Sequence, residues 1–483
     1  MTMLRPATER RPGLIVAVLA MTGVVATGIQ TLIVPLLGQL PSLLDASAAD
    51  TAWVVTVTLL TSAVAVPISG RLGDMLGKRA VMIASLVPLI AGSVVCALSV
   101  SLGAMVVGRG LQGLGLGVVP LGISLLREVM PPQRMRSAVA TMSASMGIGG
   151  ALGLPFAAIV GQTTNWRIMF WTFAGLAVVA LALLVWIVPA GHRPTPRPRF
   201  DTRGAVGLSL GLVSLLLGIS KGASWGWLSL PTLTCAGLAV VCLALWTAHQ
   251  LHASAPLVNL RSLSDRRVAL ANLVGLLISF CTYPLSYVIP QILQLPASTG
   301  YGLGQSMVAM ALWLAPGGLA MLAIAPVSAR LSARFGPRTT LSLGALVIAA
   351  GYVSTWWLMG SPWGLMIVVA LCNVGVGMAY AAIPLILMDA VPPAETASAN
   401  GFNTLCRAIG TSVAGAVIGG ALAASATQVD TFTAPSAPAL HAVLLVGVGL
   451  GGLACLLAWA IPRAPQTGSP APALVGAGQG TRS

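Results

Sequence analysis

The sequence predicts an all-α, polytopic membrane protein, and three observations carry that prediction. Of its 483 residues, 57% are hydrophobic and only 7% are charged, where a water-soluble domain carries about 25% charged residues. Fourteen stretches are long and apolar enough to cross a bilayer, which takes about 20 residues. Lys and Arg gather in small groups between those stretches, as cytoplasmic anchors do. A cytosolic enzyme is excluded, because 10 acidic and 25 basic residues cannot cover a water-facing surface. The net charge of +15 does not point to nucleic acid, since the bases form no cluster on a soluble face. The seven cysteines all lie inside apolar runs without metal-ligand spacing and read as small core residues.

Cutting the chain wherever charges or Pro/Gly/Ser clusters interrupt apolar runs gives spans at 13–37, 52–70, 80–99, 103–126, 137–161, 168–189, 204–222, 229–250, 268–292, 304–329, 339–360, 364–388, 399–424 and 439–462. Arg5, Arg10 and Arg11 precede the first span as they would a signal peptide. It runs about 25 residues and thirteen more spans follow, so an uncleaved helix is expected. With both termini in the cytoplasm, 21 of the 25 Lys/Arg fall inside, the exceptions being Arg109, Arg167, Lys221 and Arg407. That asymmetry orients the chain as a multi-pass protein of the inner or plasma membrane.

An internal repeat organises the spans. Arg71-Leu-Gly-Asp74-Met-Leu-Gly77-Lys78-Arg79 after span 2 matches Arg330-Leu-Ser-Ala333-Arg-Phe-Gly336-Pro-Arg338 after span 10, 259 residues later. Glu128-Val-Met-Pro-Pro after span 4 matches Asp389-Ala-Val-Pro-Pro after span 12, at an offset of 261. Two six-helix bundles with two inserted helices follow, and parallel halves of this kind carry a substrate path at their interface. The expected divisions are a cytoplasmic tail 1–12, a first bundle 13–190, a linker 191–203, the inserted pair 204–250, a second linker 251–267, a second bundle 268–462 and a disordered tail 463–483. Pro and Arg keep the first linker extended along the headgroups.

The run Gly70-Arg71-Leu72-Gly73-Asp74-Met75-Leu76-Gly77-Lys78-Arg79 is the most specific signal. Gly70 and Gly77 allow close approach and a tight turn, Asp74 is placed to cap the N-terminus of the next helix and pair with a base, and Lys78 and Arg79 anchor the loop at anionic headgroups. In span 4, Arg109 lies about six residues, or ~9 Å, from the outer end and is followed by Gln112 and Gly113. An Arg at that depth is costly and marks function by default. Span 5 carries Gly149, Gly153 and Pro155, small residues that let helices pack tightly and a proline that weakens the helix. Span 13 carries Asn403 and, about eight residues or ~12 Å deep, Arg407.

These motifs resemble those of the major facilitator superfamily, and the span count with its two-helix insertion resembles the fourteen-span drug:proton antiporter branch. The resemblance implies the major facilitator fold, a cytoplasmic conformational latch at residues 70–79, a part for Arg109 in proton coupling, and an antiporter-type motif at Gly149, Gly153 and Pro155. The span 5 match is incomplete, because Leu154 separates Gly153 from Pro155 and the expected glycines beyond are Ala157 and Ala158. The Asp that the branch carries about nine residues before the span 1 proline is Ala26 here, leaving Thr27, Gln30 and Thr31 as nearby polar groups.

No acidic residue falls in the central part of a span. A lipophilic cation in low dielectric needs a carboxylate, so the expected substrate is a neutral, zwitterionic or anionic amphiphile. Proton-coupling candidates are Asp74, Arg109, Glu128 and Asp389, the three acids having structural alternatives as caps or as partners of Arg134, Arg136, Arg330 or Arg334. Candidates for the substrate path are Gln30, Gln112, Asn272, Tyr283, Tyr287, Gln291, Trp313, Asn373, Tyr380, Asn403 and Arg407. The expected function is proton-coupled efflux of drugs or natural products by alternating access, the alternative being proton-coupled uptake of a small nutrient. No nucleotide-binding loop, metal cluster or catalytic triad stands in the sequence, so no cofactor is expected, and the chain is expected to act as a monomer.

Overall fold

The computed structural model describes residues 12–36, 39–189, 200–429 and 432–463. The first tail, residues 190–199 of the linker region and the chain beyond Arg463 lie outside the described residues. Among those described, fourteen helices are long and apolar enough to cross a membrane: span 1 Pro12–Leu36, span 2 Trp53–Leu76, span 3 Lys78–Leu98, span 4 Leu102–Val129, span 5 Pro132–Thr163, span 6 Arg167–Ile187, span 7 Thr202–Gly222, span 8 Leu230–His252, span 9 Arg266–Gln294, span 10 Met307–Phe335, span 11 Pro337–Leu358, span 12 Pro362–Ala390, span 13 Pro393–Ala424 and span 14 Ala437–Trp459. A two-stranded antiparallel hairpin, β1 (Ala426–Val429) and β2 (Phe432–Pro435), joins spans 13 and 14, with Thr427 opposite Ala434.

Each half buries its own apolar core. Leu19, Met82, Leu86, Leu125 and Phe170 pack in one, and Ile278, Ile348, Val368 and Leu444 in the other. The inserted pair makes a third cluster, in which Leu208, Leu212, Leu216 and Trp246 meet Leu60 of span 2 and Leu405 of span 13. Span 7 therefore touches one helix from each half. The outer faces carry exposed Leu, Val and Trp, such as Val240, Leu245, Trp186 and Trp357, which only an apolar solvent tolerates in such number.

The repeat extends to the backbone. Gly77 and Gly336 are both left-handed, with φ of 98° and 86°, and each is the single residue between two consecutive spans. A side chain is strained at such φ, so glycine is required at both turns. The 70–79 segment is correspondingly less of a loop than expected. Helix runs on through Met75 to Leu76, because nothing between Gly70 and Leu76 breaks it, and Lys78 opens the next span. At the second repeated site, span 5 begins at Pro132 and a short 3-10 turn at Pro393 leads into span 13, both at the second proline of their Pro-Pro pair, where a missing N–H costs nothing. Arg407 consequently lies eleven residues beyond the helix start at Thr396, roughly 17 Å deep at 1.5 Å per residue.

Candidate functional site

Span 2 and span 13 pack side by side, and the last turns of span 2 lie against the first turns of span 13 at the Gly77 end of the bundle. A Cβ on Gly70 would lie 2.6 Å from the carbonyl oxygen of Ala397, so only glycine lets the two backbones approach this closely. One turn further on, Asp74 Oδ1 accepts from the Ala397 N–H at 3.1 Å and Oδ2 from the Ser398 N–H at 2.8 Å. These amides belong to the first turn of span 13, where N–H groups lack helical partners and the dipole favours negative charge. The expectation that Asp74 caps the helix following it is corrected here: Gly77 stands at the N-cap of span 3, which has no side-chain cap, and the carboxylate serves a helix in the other half. Lys78 Nζ lies 3.6 Å from Asp74 Oδ1 and pairs with Glu128 of span 4. Asp74 and Glu128 thus find partners other than Arg134, Arg136, Arg330 and Arg334. Asp389 is exposed, and its charge faces Arg136, Arg127 and Arg267.

Further bonds between the halves gather at the same end. Arg127 donates to Val391 O at 3.2 Å and Thr396 Oγ1 at 2.7 Å, Ser124 donates to Thr396 O at 3.1 Å, and Asn400 donates to Ser124 Oγ at 3.1 Å. Nothing in the sequence singled out Arg127, Ser124 or Asn400. The repeat itself was the available signal, since all three flank the Glu128 and Asp389 motifs. Of the basic residues in the 70–79 segment, Arg79 donates to Val185 O of span 6 at 2.6 Å, while Arg71 is half-buried with its Nε unpartnered.

Arg109 is 2% exposed. Its guanidinium donates to Val54 O at 3.3 Å, to Ile29 O at 3.1 Å and to Gln112 Oε1 at 2.8 Å, and Gln112 Nε2 donates onward to Ser93 Oγ at 3.0 Å. Ile29 sits in the last turn of the span 1 α-helix, so its carbonyl is among the orphans of a negative helix end. Carbonyl dipoles, not a carboxylate, balance this charge, and they tie span 4 to spans 1, 2 and 3.

Between the halves lie two adjoining cavities of about 270 and 400 Å³, sharing Thr27, Gln30, Met146, Tyr287, Tyr380 and Arg407 as walls. Arg109 lines the first and Asn373 the second. Both are bounded by residues of each half, and no carboxylate is among the lining residues. A third space of about 280 Å³ is lined by Tyr283, Tyr287 and Gln291. The two tyrosine rings stack at 4.6 Å where span 9 widens into a π-turn over Pro284–Val288, a distortion frequent at functional positions. Four path candidates lie elsewhere. Gln112 is held in the Arg109 network, Asn403 donates to Asn272 at 3.0 Å as buried glue between spans 13 and 9, and Trp313 donates to Gln305 at 3.0 Å and packs edge-on against Trp363. Gly149 and Gly153 have no room for a Cβ against Thr27, Gly28 and Thr31 of span 1, and Pro155 is buried within an unbroken span 5.

The inserted pair reaches the same end of the bundle through a polar strap. Asp201, the cap of span 7, accepts from Gly204 N at 2.8 Å and Gln250 Nε2 at 2.8 Å and lies 2.9 Å from His249 Nε2. Gln250 Oε1 accepts from Val258 N at 3.3 Å. Beside it, Asn259 and Ser262 donate to the Glu395 carboxylate at 2.9 and 2.7 Å, one residue before Thr396. Sequence reasoning placed no function on these residues.

The family model described as Major Facilitator Superfamily matches residues 19–415. The chain is 30% identical to the tetracenomycin C resistance and export protein of Streptomyces glaucescens, over 78% of this chain and 69% of that one. It is 24% identical to the multidrug transporter protein MdtP of Bacillus subtilis, over 76% and 68%. In structure it is similar to the proton:xylose symporter XylE, with a TM-score of 0.63 at 14% identity, over 94% of this chain and 97% of that one; at that identity the likeness is one of fold. With two six-helix halves, an inserted pair and a cavity between the halves, the chain belongs to the major facilitator superfamily and is a multi-pass membrane transporter, not an enzyme.

Proposed function

We propose that the protein exports drugs or natural products across the plasma membrane by alternating access, driven by proton uptake. One observation carries the reading: a cavity bounded by both halves, with the halves bonded together at the Gly77 end. The distribution of Lys and Arg supports a cytoplasmic side for that end and for both termini, and on that orientation the arrangement is closed to the cell interior. Relatives named for tetracenomycin export and multidrug transport support export over uptake. The absence of carboxylates from the described lining favours neutral, zwitterionic or anionic amphiphiles over lipophilic cations.

Asp74, Lys78 and Glu128 are the groups we assign to proton coupling. Two carboxylates share one ammonium there, leaving a net negative charge that a proton would cancel. A protonated Asp74 loses its charge-assisted hold on the Ala397 and Ser398 amides, which frees the start of span 13 and opens the cytoplasmic side. Arg109 fixes the framework around which this happens. Susceptibility profiling of cells with and without the gene tests the reading. Raised tolerance to several amphiphilic antibiotics, abolished by a protonophore, is expected, whereas an unchanged profile across neutral, anionic and cationic compounds would count against export.

A further inference from the structure

Arg407 carries the one cavity-lining charge whose hydrogen-bonding edge meets no oxygen acceptor among the described residues. Its guanidinium stacks on the Tyr380 ring, 3.5 Å from the centroid. Nη2 reaches the Met146 thioether at 3.8 Å, a weak acceptor, and Nε is buried without a partner. Arg109 provides the contrast within the same cavity: three oxygen acceptors engage its guanidinium. A guanidinium is always charged and offers five donors in a planar fork. Leaving one so deep in a membrane helix without acceptors is costly.

The surroundings fix this side chain as a recognition element. Ser279 Oγ lies 3.0 Å from Tyr380 Oη and Ser143 Oγ donates to Tyr380 O at 2.8 Å, so the stacking platform is held from both halves. The guanidinium is thereby oriented while its Nε/Nη2 edge faces nothing harder than a sulfur. That edge is the one that binds a carboxylate side-on with two parallel hydrogen bonds. Methionine is flexible and easily displaced, which suits a stopper that yields to a better acceptor. Tyr287 and Tyr380 supply flat apolar walls to the shared cavity, and Gln30 adds a neutral polar group. The volume is in the range that drug-sized ligands occupy.

We propose that Arg407 is the anion-recognition site of the transport cavity, accepting the carboxylate or phenolate of an aromatic amphiphile on its Nε/Nη2 edge in place of Met146. This deepens the efflux reading and rests on it for the word substrate, though not for binding. The test is equilibrium dialysis of the purified full-length chain in lipid nanodiscs against anthraquinone-2-carboxylate and its primary amide, which share size and ring system but differ in charge and in the second acceptor oxygen. Wild type should prefer the carboxylate at least tenfold. Arg407→Gln should reduce that preference to within twofold with amide affinity retained, and Arg407→Lys, which keeps charge but loses the fork, should fall between. Equal binding of the two probes by wild type, a comparison that needs no variant to fold, overturns the proposal, as does an Arg407→Gln protein that keeps the preference. Export of both probes by everted vesicles without preference would sink the anion site and leave efflux standing. A carboxylate preference in binding without export of either would do the reverse.

Discussion

The backbone N–H of Ser398 donates to the carboxylate of Asp74 at 2.8 Å, joining the end of span 2 to the start of span 13 across the two halves. Alternating access requires this bond to break in every cycle. Asp74→Asn keeps the shape and removes the charge. Amide exchange at Ala397 and Ser398 should then accelerate about tenfold, equivalent to roughly 1.4 kcal/mol and near the lower bound for a bond to a charged group. Hydrogen-exchange mass spectrometry of the 393–405 peptide reads this, and unchanged exchange would show that the carboxylate does not hold the gate.

Arg109, 2% exposed, satisfies two backbone carbonyls and Gln112. Arg109→Leu strands all three acceptors and should cost on the order of 3 kcal/mol, whereas Ser93→Ala removes one neutral contact to Gln112 and should cost about 1 kcal/mol. Thermal unfolding in nanodiscs ranks the two. A ranking in which Ser93→Ala is the more damaging would contradict a framework role for the guanidinium.

The strap from Asn259 and Ser262 to Glu395 ties the linker of the inserted pair to the helix start that Asp74 caps. Asn259→Ala and Glu395→Gln should each destabilise the protein, and a double-mutant cycle should return a coupling of about 1 kcal/mol. The same pair should raise exchange at Ser398, a readout that an isolated surface bond would leave unmoved.

Burial pushes the Asp201 carboxyl up, but the bonds from His249, the Gly204 N–H and Gln250 outweigh it and hold the group below the usual carboxylate range. A folded value below the unfolded one gives stability that is complete above about pH 4 to 5 and is lost as pH falls through the lower folded value. The junction of spans 7 and 8 therefore persists through neutral pH and loosens only in acid. Asp201→Asn should flatten the acid limb of a melting-temperature profile between about pH 2 and pH 5.

The fourteen spans, the two halves and the inserted pair were legible in the sequence because a membrane span announces itself by length and composition, and because Gly77 and Gly336 sit at the same place in two copies of one unit. Asp74 was legible as a cap but its helix was not. Which N-terminus a carboxylate meets depends on how the halves dock, and the partner amides at Ala397 and Ser398 belong to backbone, which has no sequence signature. For the same reason the neutralisation of Arg109 by carbonyls was invisible, while the absence of nearby acids was plain. Gln112, Asn272 and Asn403 show the limit of reading polar residues in spans as a path: each is absorbed by another side chain, a pairing that helix rotation decides. Arg407 was visible as a charge, but the thioether beside it and the ring beneath it depend on spans 5 and 12.

The most direct test is transport into everted membrane vesicles with an acid interior, comparing an anionic amphiphile with ethidium at equal concentration. Accumulation of the anionic compound, collapsed by a protonophore and absent with ethidium, is the predicted result. Strong ethidium accumulation by the wild-type protein would contradict a carboxylate-free export cavity.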